Sequence, residues 1–252
     1  MSMKNDFFQN IFHEKQVQSK KQLDDFLKEP GEKQIHDLRT SIRRLQASYI
    51  IFPNSCKRKK TDYFVSSYNS LFKKNSSIRD LDVIFEKLLQ YNLPKNTEIM
   101  QNIVKQKNKK LKKILKEAKK LSDLKFSNLK KIDNKKITQK HDKLIFSLLT
   151  KIENYLPIVL SDESKMKELH SMRKNAKKLR YILEIDPEKK HQHMVDNMKS
   201  FQTLLGMIHD CDITINFLKK YSKKEHPELI PLVMEEQKVR SETYRKLSDS
   251  LS

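Results

Sequence analysis

An all-α fold is predicted by three features of this chain. Apolar residues recur at helical spacing almost throughout, and strand-like alternation is rare. Two glycines and no tryptophan among 252 residues leave little material for β-turns and sheet faces. Lys, Leu, Ile, Glu and Gln are abundant, a composition that suits helices.

The elements follow in order from the apolar periodicity and the turn residues that interrupt it. A first helix over about 5–28 ends at Pro30-Gly31, and a second over about 32–51 ends at Pro53-Asn54. Helices over about 57–74 and 77–91 are separated by Asn75-Ser76-Ser77, and Asn92-Leu93-Pro94 stops the later one. A fifth helix, about 96–122, ends where periodicity fades after Ser122, and a sixth, about 137–155, ends before Pro157. Ser161 and Asp162 are the expected caps of a seventh over about 163–185, which Asp186-Pro187 closes. The last three are expected over about 189–205, 207–222 and 227–249, the final one opened by Pro227.

Fifty-three Lys and Arg against 32 Asp and Glu give a net charge of +21 and a pI near 9.7. So large an excess repels itself in a compact chain, so a polyanion is expected to supply counter-charge. Nucleic acid, an anionic membrane surface and phosphate polymers are the candidates. Cys56 and Cys211 are too few for a disulfide framework, so a reducing, intracellular setting is expected. The N-terminal MSMKNDFFQNIFHEKQ has early acids and no apolar core of signal-peptide length. No stretch reads as approaching the roughly 18 apolar residues of a membrane span. The expectation is a soluble cytoplasmic protein with no membrane partner.

From Lys105 to Lys136 lysine dominates. Ile103, Leu111, Ile114, Leu115, Ala118 and Leu121 keep helical spacing, so the first part reads as an amphipathic helix and the rest as a connector. A solvated lysine face is the ordinary reading of such a run; direct phosphate contact is the other.

One pattern is written twice. His36-Asp-Leu-Arg39-x3-Arg43-Arg44-Leu45 aligns with His170-Ser-Met-Arg173-x3-Lys177-Lys178-Leu179 at a constant offset of 134. Each block is followed, about forty residues on, by an acidic pair, Asp80-x-Asp82 and Asp210-x-Asp212. At about 100° per residue, His36, Arg39 and Arg43 form one helical stripe, and His170, Arg173 and Lys177 another. Ile35, Leu38, Ile42, Leu45 and Tyr49 take the opposite sector of the first helix. Leu169, Met172, Ala176, Leu179 and Leu183 do so in the second. Stripes of like charge cost roughly 0.2–0.5 kcal/mol per neighbouring pair, and nothing in a core requires them. Forked arginine donors suit phosphate oxygens, and a histidine beside phosphate would favour its protonated form. Binding is therefore expected to tighten as pH falls from about 8 to 6. The other reading is structural, with the histidines bonding across a bundle to the acidic pairs. Repetition in register with the same cations favours the anion site.

At these residues the sequence resembles the CHAD family, the conserved-histidine α-helical domain. HDLRTSIRRLQ (36–46) and HSMRKNAKKLRYILE (170–184) match its histidine-arginine helices. RDLDVIFEKL (79–88) and FQTLLGMIHDCDITINFLKKY (201–221), with Leu205-Gly206, match the motifs that follow, described as Asp-x-Asp helix starts. The resemblance covers essentially the whole chain. It implies one domain over 1–252, built as two pseudo-symmetric antiparallel four-helix bundles with repeat halves about 1–125 and 137–252. It also implies a shared basic cavity that binds inorganic polyphosphate, which makes polyphosphate granules a candidate partner. Carried over by residue, the binding set is His36, Arg39, Arg43 and Arg44, with His170, Arg173, Lys177, Lys178 and Arg180. Lys174 joins on geometry, about 40° from its stripe. Gln46 departs from the pattern, standing where the second block has Arg180. Some relatives add a triphosphate-tunnel domain, but its Glu-x-Glu-x-Lys signature is absent, so a stand-alone module is expected.

Other chemistry finds little footing. His191-x-His193 with Cys211 gives no coherent metal-ligand spacing and reads as ordinary surface. Glycine only at 31 and 206 excludes a phosphate-cradling Gly-rich loop. Asp80/Asp82 and Asp210/Asp212 are expected to cap helices or pair with the basic stripes, with Mg²⁺ binding the alternative. No catalytic residue, metal site or cofactor is assigned, so a non-enzymatic binding module is expected. Its rival is a nucleic-acid-binding helical protein, against which stand the missing base-reading motif and the lack of aromatics among the basic stripes.

Overall fold

The computed structural model describes residues 7–186, 190–222 and 227–251, and in these the predicted apolar stripes are helix faces turned inward. Eight α-helices stand among the described residues: α1 (Phe7–Lys28), α2 (Glu32–Ile50), α3 (Lys59–Gln90), α4 (Glu98–Ser122), α5 (Asn134–Ser161), α6 (Met166–Leu183), α7 (Gln192–Ser222) and α8 (Ile230–Asp249). Short 3-10 turns lie at Asn54–Cys56 and Pro227–Leu229. With no strand among the described residues, the chain is all-α.

Three expected breaks are bridged, because packing outweighs local propensity. Asn75-Ser76-Ser77 lies inside α3, where Asn75 and Ile78 are fully buried and Ser76 Oγ donates back to the Phe72 carbonyl (3.2 Å). α7 passes through Gly206 between buried Leu205 and Ile208; the glycine costs about 1 kcal/mol, less than one buried leucine or isoleucine contributes. α5 continues past Pro157 to Ser161, and there Val159 is fully buried and accepts a 2.6 Å bond from Tyr244 Oη. α5 also starts earlier than expected, because Asp133 Oδ1 caps it through the Lys135 amide (2.9 Å). Asp162 instead makes a local turn, accepting from the Ser164 amide (2.8 Å), and α6 begins only at Met166. The Asn92 stop is as expected: at φ 57° this left-handed residue lets the Leu93 amide reach the Leu88 carbonyl (3.1 Å). Pro187, and positions 5, 6 and 189 of the expected helices, lie outside the described residues.

α5 also corrects the reading of apolar length: by length and composition it could cross a membrane. Its Ile145, Leu148, Ile152 and Val159 are nevertheless core residues.

The chain forms two compact units, each gathered from three stretches. The first comprises Met1–Arg79, Lys105–Ser147 and Tyr181–Gln192. Its core joins Phe8, Phe12 and Phe26 of α1 to Ile35, Leu38, Ile42 and Leu45 of α2 and to Phe64, Tyr68 and Leu71 of α3. Phe12 meets the Tyr49 and Phe52 rings at 5.5 and 6.0 Å between centroids. The connector after α4 is tied down by the Lys130 amide on the Cys56 carbonyl (2.8 Å) and by Gln16 on the Ser127 carbonyl (3.2 Å).

The second unit comprises Asp80–Val104, Leu148–Arg180 and His193–Ser252. Leu81, Ile84, Leu88, Ile103, Ile215, Leu218 and Val233 form its core, and the same unit holds an ion pair whose carboxylate is buried. Glu236, fully buried, accepts from Lys87 Nζ (3.0 Å) and from Tyr91 Oη (2.7 Å). Burial and the Glu236 bond push the Cys211 thiol beside them up to about 12.

Candidate functional site: two cationic helix faces

In the first unit the site is built on α2. Burial of Ile35, Leu38, Ile42 and Leu45 turns the other sector outward, leaving His36 exposed and Arg39, Arg43 and Arg44 half-buried. Arg39 Nη1 donates to the Phe72 carbonyl (3.1 Å) and to Ser76 Oγ (3.0 Å). Its guanidinium lies 4.4 Å from the Phe72 ring centroid, and that of Arg43 lies 5.0 Å from the same ring. One phenyl ring thus steadies two guanidiniums, each contact worth about 0.5–1 kcal/mol. Phe72 and Ser76 were missed from the sequence, where Ser76 read as part of a loop. Arg44 points elsewhere, its Nε donating to Glu184 (3.3 Å). Gln46, in the place of a family arginine, is committed to α3 through Asn69 Oδ1 (2.6 Å).

The second unit builds the corresponding site on α6. Leu169, Met172, Ala176 and Leu179 are buried, and Gln202 Nε2 of α7 fastens the Ala176 carbonyl (2.8 Å). His170, Arg173, Lys177 and Arg180 are half-buried; Lys174 and Lys178 are exposed. Lys178 leaves the stripe for the neighbourhood of Lys151. α7 then adds a residue not predicted: the His209 ring lies 5.3 Å from that of His170, inclined by 36°. His209 directly precedes the acidic pair, but nothing in the sequence says that it faces α6.

The electrostatics follow from that geometry. Burial, then the charges of Lys174 and Arg173, hold the His170 imidazole below the usual histidine range. Burial, then Arg173, His170, Lys177 and Lys174, hold His209 down to about 3. Asp212 draws His170 the other way, but its Oδ1 is bonded to Arg240 Nε (2.6 Å), and Arg240 Nη2 also donates to the Glu163 carbonyl (2.8 Å). Helix capping by the acidic pairs is thereby corrected: Asp80/Asp82 and Asp210/Asp212 all lie inside helices, and the continuity of α3 and α7 is the reason. Among the described residues no group of three or more His, Cys, Asp or Glu is placed to hold a metal. The arrangement presents forked and mobile cations beside two imidazoles held below the usual histidine range.

A pH effect follows, with a definite sign. The unfolded His209 binds its proton near 6.5 and the folded one only near 3, so stability is present above about 6.5 and is lost as pH falls. At pH 5 the loss should reach about 2 kcal/mol, with His170 adding in the same direction. Thermal unfolding of ligand-free protein between pH 7 and 5 measures it. His209→Gln should flatten the profile, and an unchanged slope would remove His209 as its source.

The chain is thus an all-α protein that carries two histidine-bearing cationic helix faces. The CHAD domain family profile matches residues 15–219, more than half of the chain, and the protein belongs to that family. Its fold is similar to the crystal structure of the CHAD domain from the plant Ricinus communis, with a TM-score of 0.59 and 15% identity. That similarity covers 96% of this chain and 86% of the plant chain. No curated protein matches the sequence.

Proposed function

We propose that the protein binds inorganic polyphosphate on the α2 and α6 faces and does no chemistry on it. The observation that carries this reading is the His170–His209 pair among Arg173, Lys174 and Lys177. Half-buried imidazoles held below the usual histidine range by desolvation and then by the surrounding cations mark a place where positive charge is in excess and an anion would relieve it. Membership of the CHAD family, whose domains are linked to polyphosphate binding in general, supports phosphate polymer over other anions. Compact stripes with no recognised nucleic-acid-binding motif argue against nucleic acid. Cys56 and Cys211, both buried free thiols, suit a cytoplasmic setting.

Competition among polyphosphate, tRNA and duplex DNA at physiological salt is the test. Polyphosphate should win by at least roughly tenfold at equal phosphate concentration, about 1.4 kcal/mol. Equal competition would shift the assignment to nucleic acid. In the same samples with Mg²⁺, polyphosphate should be neither shortened nor converted to orthophosphate. Turnover abolished by Asp80→Asn or Asp210→Asn would overturn the binding-only reading.

A further inference from the structure

A second concentration of lysines lies on α4. From Lys105 to Lys120 the helix holds nine lysines and one glutamate. Six of them, Lys105, Lys109, Lys112, Lys113, Lys116 and Lys120, fall within a sector of about 100° at 100° per residue. All six are exposed, while Ile103, Ile114, Ala118 and Leu121 turn the opposite sector into the core. The strip runs about 22 Å along the axis. Neighbouring like charges of this kind destabilise a helix, and the buried face does not depend on them.

Its position relative to the α2 face gives the strip a use. Within the first unit, residues 72–74 of α3 step round that helix by about 100° each. Phe72 supports Arg39 and Arg43 of α2, whereas Lys74 is ion-paired to Glu117 of α4. Lys73 lies between them and is exposed. Lys73 therefore carries positive charge across α3 toward the α4 strip, and the Lys74–Glu117 pair ties the two helices together there. Adjacent packed helices lie 8–10 Å apart, so the crossing is roughly 16–20 Å and the whole path on the order of 40 Å.

We infer that the α4 strip is the second segment of an anion path on the first unit, occupied by the length of a polyphosphate chain that extends beyond the α2 face. This inference rests on the polyphosphate reading. The strip consists of lysines alone, so it attracts any phosphate by point charge and fixes no register. Chains too short to cross α3 do not reach it. A long chain reaches it as an intramolecular second contact.

The experiment compares tripolyphosphate with long-chain polyphosphate on the unaltered protein and on Lys109→Gln/Lys113→Gln/Lys116→Gln/Lys120→Gln. Glutamine keeps helix propensity, and circular dichroism checks that α4 is retained. The expected result is a long-chain Kd raised at least roughly tenfold, with log Kd depending less steeply on log salt by about 2 to 3, and tripolyphosphate unchanged. An unchanged long-chain Kd would overturn the inference and leave the strip a solvated surface. So would equal losses for both ligands, or a loss of tRNA binding with polyphosphate unaffected. Should the unaltered protein bind neither polyphosphate, the polyphosphate reading itself fails, which the wild-type arm alone reports.

Discussion

Replacing Lys87 with methionine should destabilise the protein by about 3–5 kcal/mol, the largest effect expected of any single surface-accessible charge. Glu236 on α8 is fully buried, and Lys87 Nζ at 3.0 Å supplies its counter-charge while Tyr91 Oη at 2.7 Å supplies a second donor. Methionine fills the lysine stem but leaves a buried carboxylate without its counter-charge, in the unit whose core includes Leu81, Leu88, Ile215 and Val233. Replacing both partners, as Lys87→Met with Glu236→Leu, should restore most of the loss, because neither charge is then stranded. Urea unfolding of the two variants measures this. A loss below about 1 kcal/mol for Lys87→Met would mean that the carboxylate finds another partner, and the pair would not be what holds α8 to α3.

On the binding side, Arg39→Ala with Arg43→Ala should weaken long-chain polyphosphate by roughly a hundredfold or more. Each lost charge-assisted contact is worth about 1.5–3 kcal/mol. Both guanidiniums are steadied on the Phe72 ring at 4.4 and 5.0 Å, so the ring itself can be tested. Phe72→Leu keeps every charge and most of the apolar volume but removes the platform, and it should cost about tenfold or less. Calorimetry on the two variants separates charge from orientation. Equal losses would make Phe72 a packing residue whose removal disturbs α2 as a whole. No loss in the double alanine variant would take the α2 face out of the binding reaction.

The two basic helices were legible because the information for them is local. Ile35, Leu38, Ile42 and Leu45 on α2, like Leu169, Met172, Ala176 and Leu179 on α6, sit at helical spacing, and all are buried as that spacing requires. The partners of the cations were not legible. Phe72, Ser76 and His209 lie 29 to 39 residues from the arginines or histidine they meet, on other helices. Local signals also overstated the breaks: a polar triplet, a glycine and a proline were each absorbed into α3, α7 and α5. Each carries a local penalty of a few kcal/mol at most, and burial of the flanking apolar residues exceeds it.

By itself, then, the sequence determined the all-α class, the inward faces of α2 and α6, the surplus of positive charge and the family motifs. All of these are set by residue identity and by spacing within one helix. Tertiary structure alone decided that Arg39 and Arg43 share the Phe72 ring, that Arg44 turns to Glu184, and that His209 meets His170. It also decided that Asp212 is held by Arg240 and that Glu236 is buried on Lys87. The physical reason is that the charge state and orientation of a side chain depend on desolvation and on charges within a few ångströms. Those neighbours come from other helices, and only the packed fold brings them together.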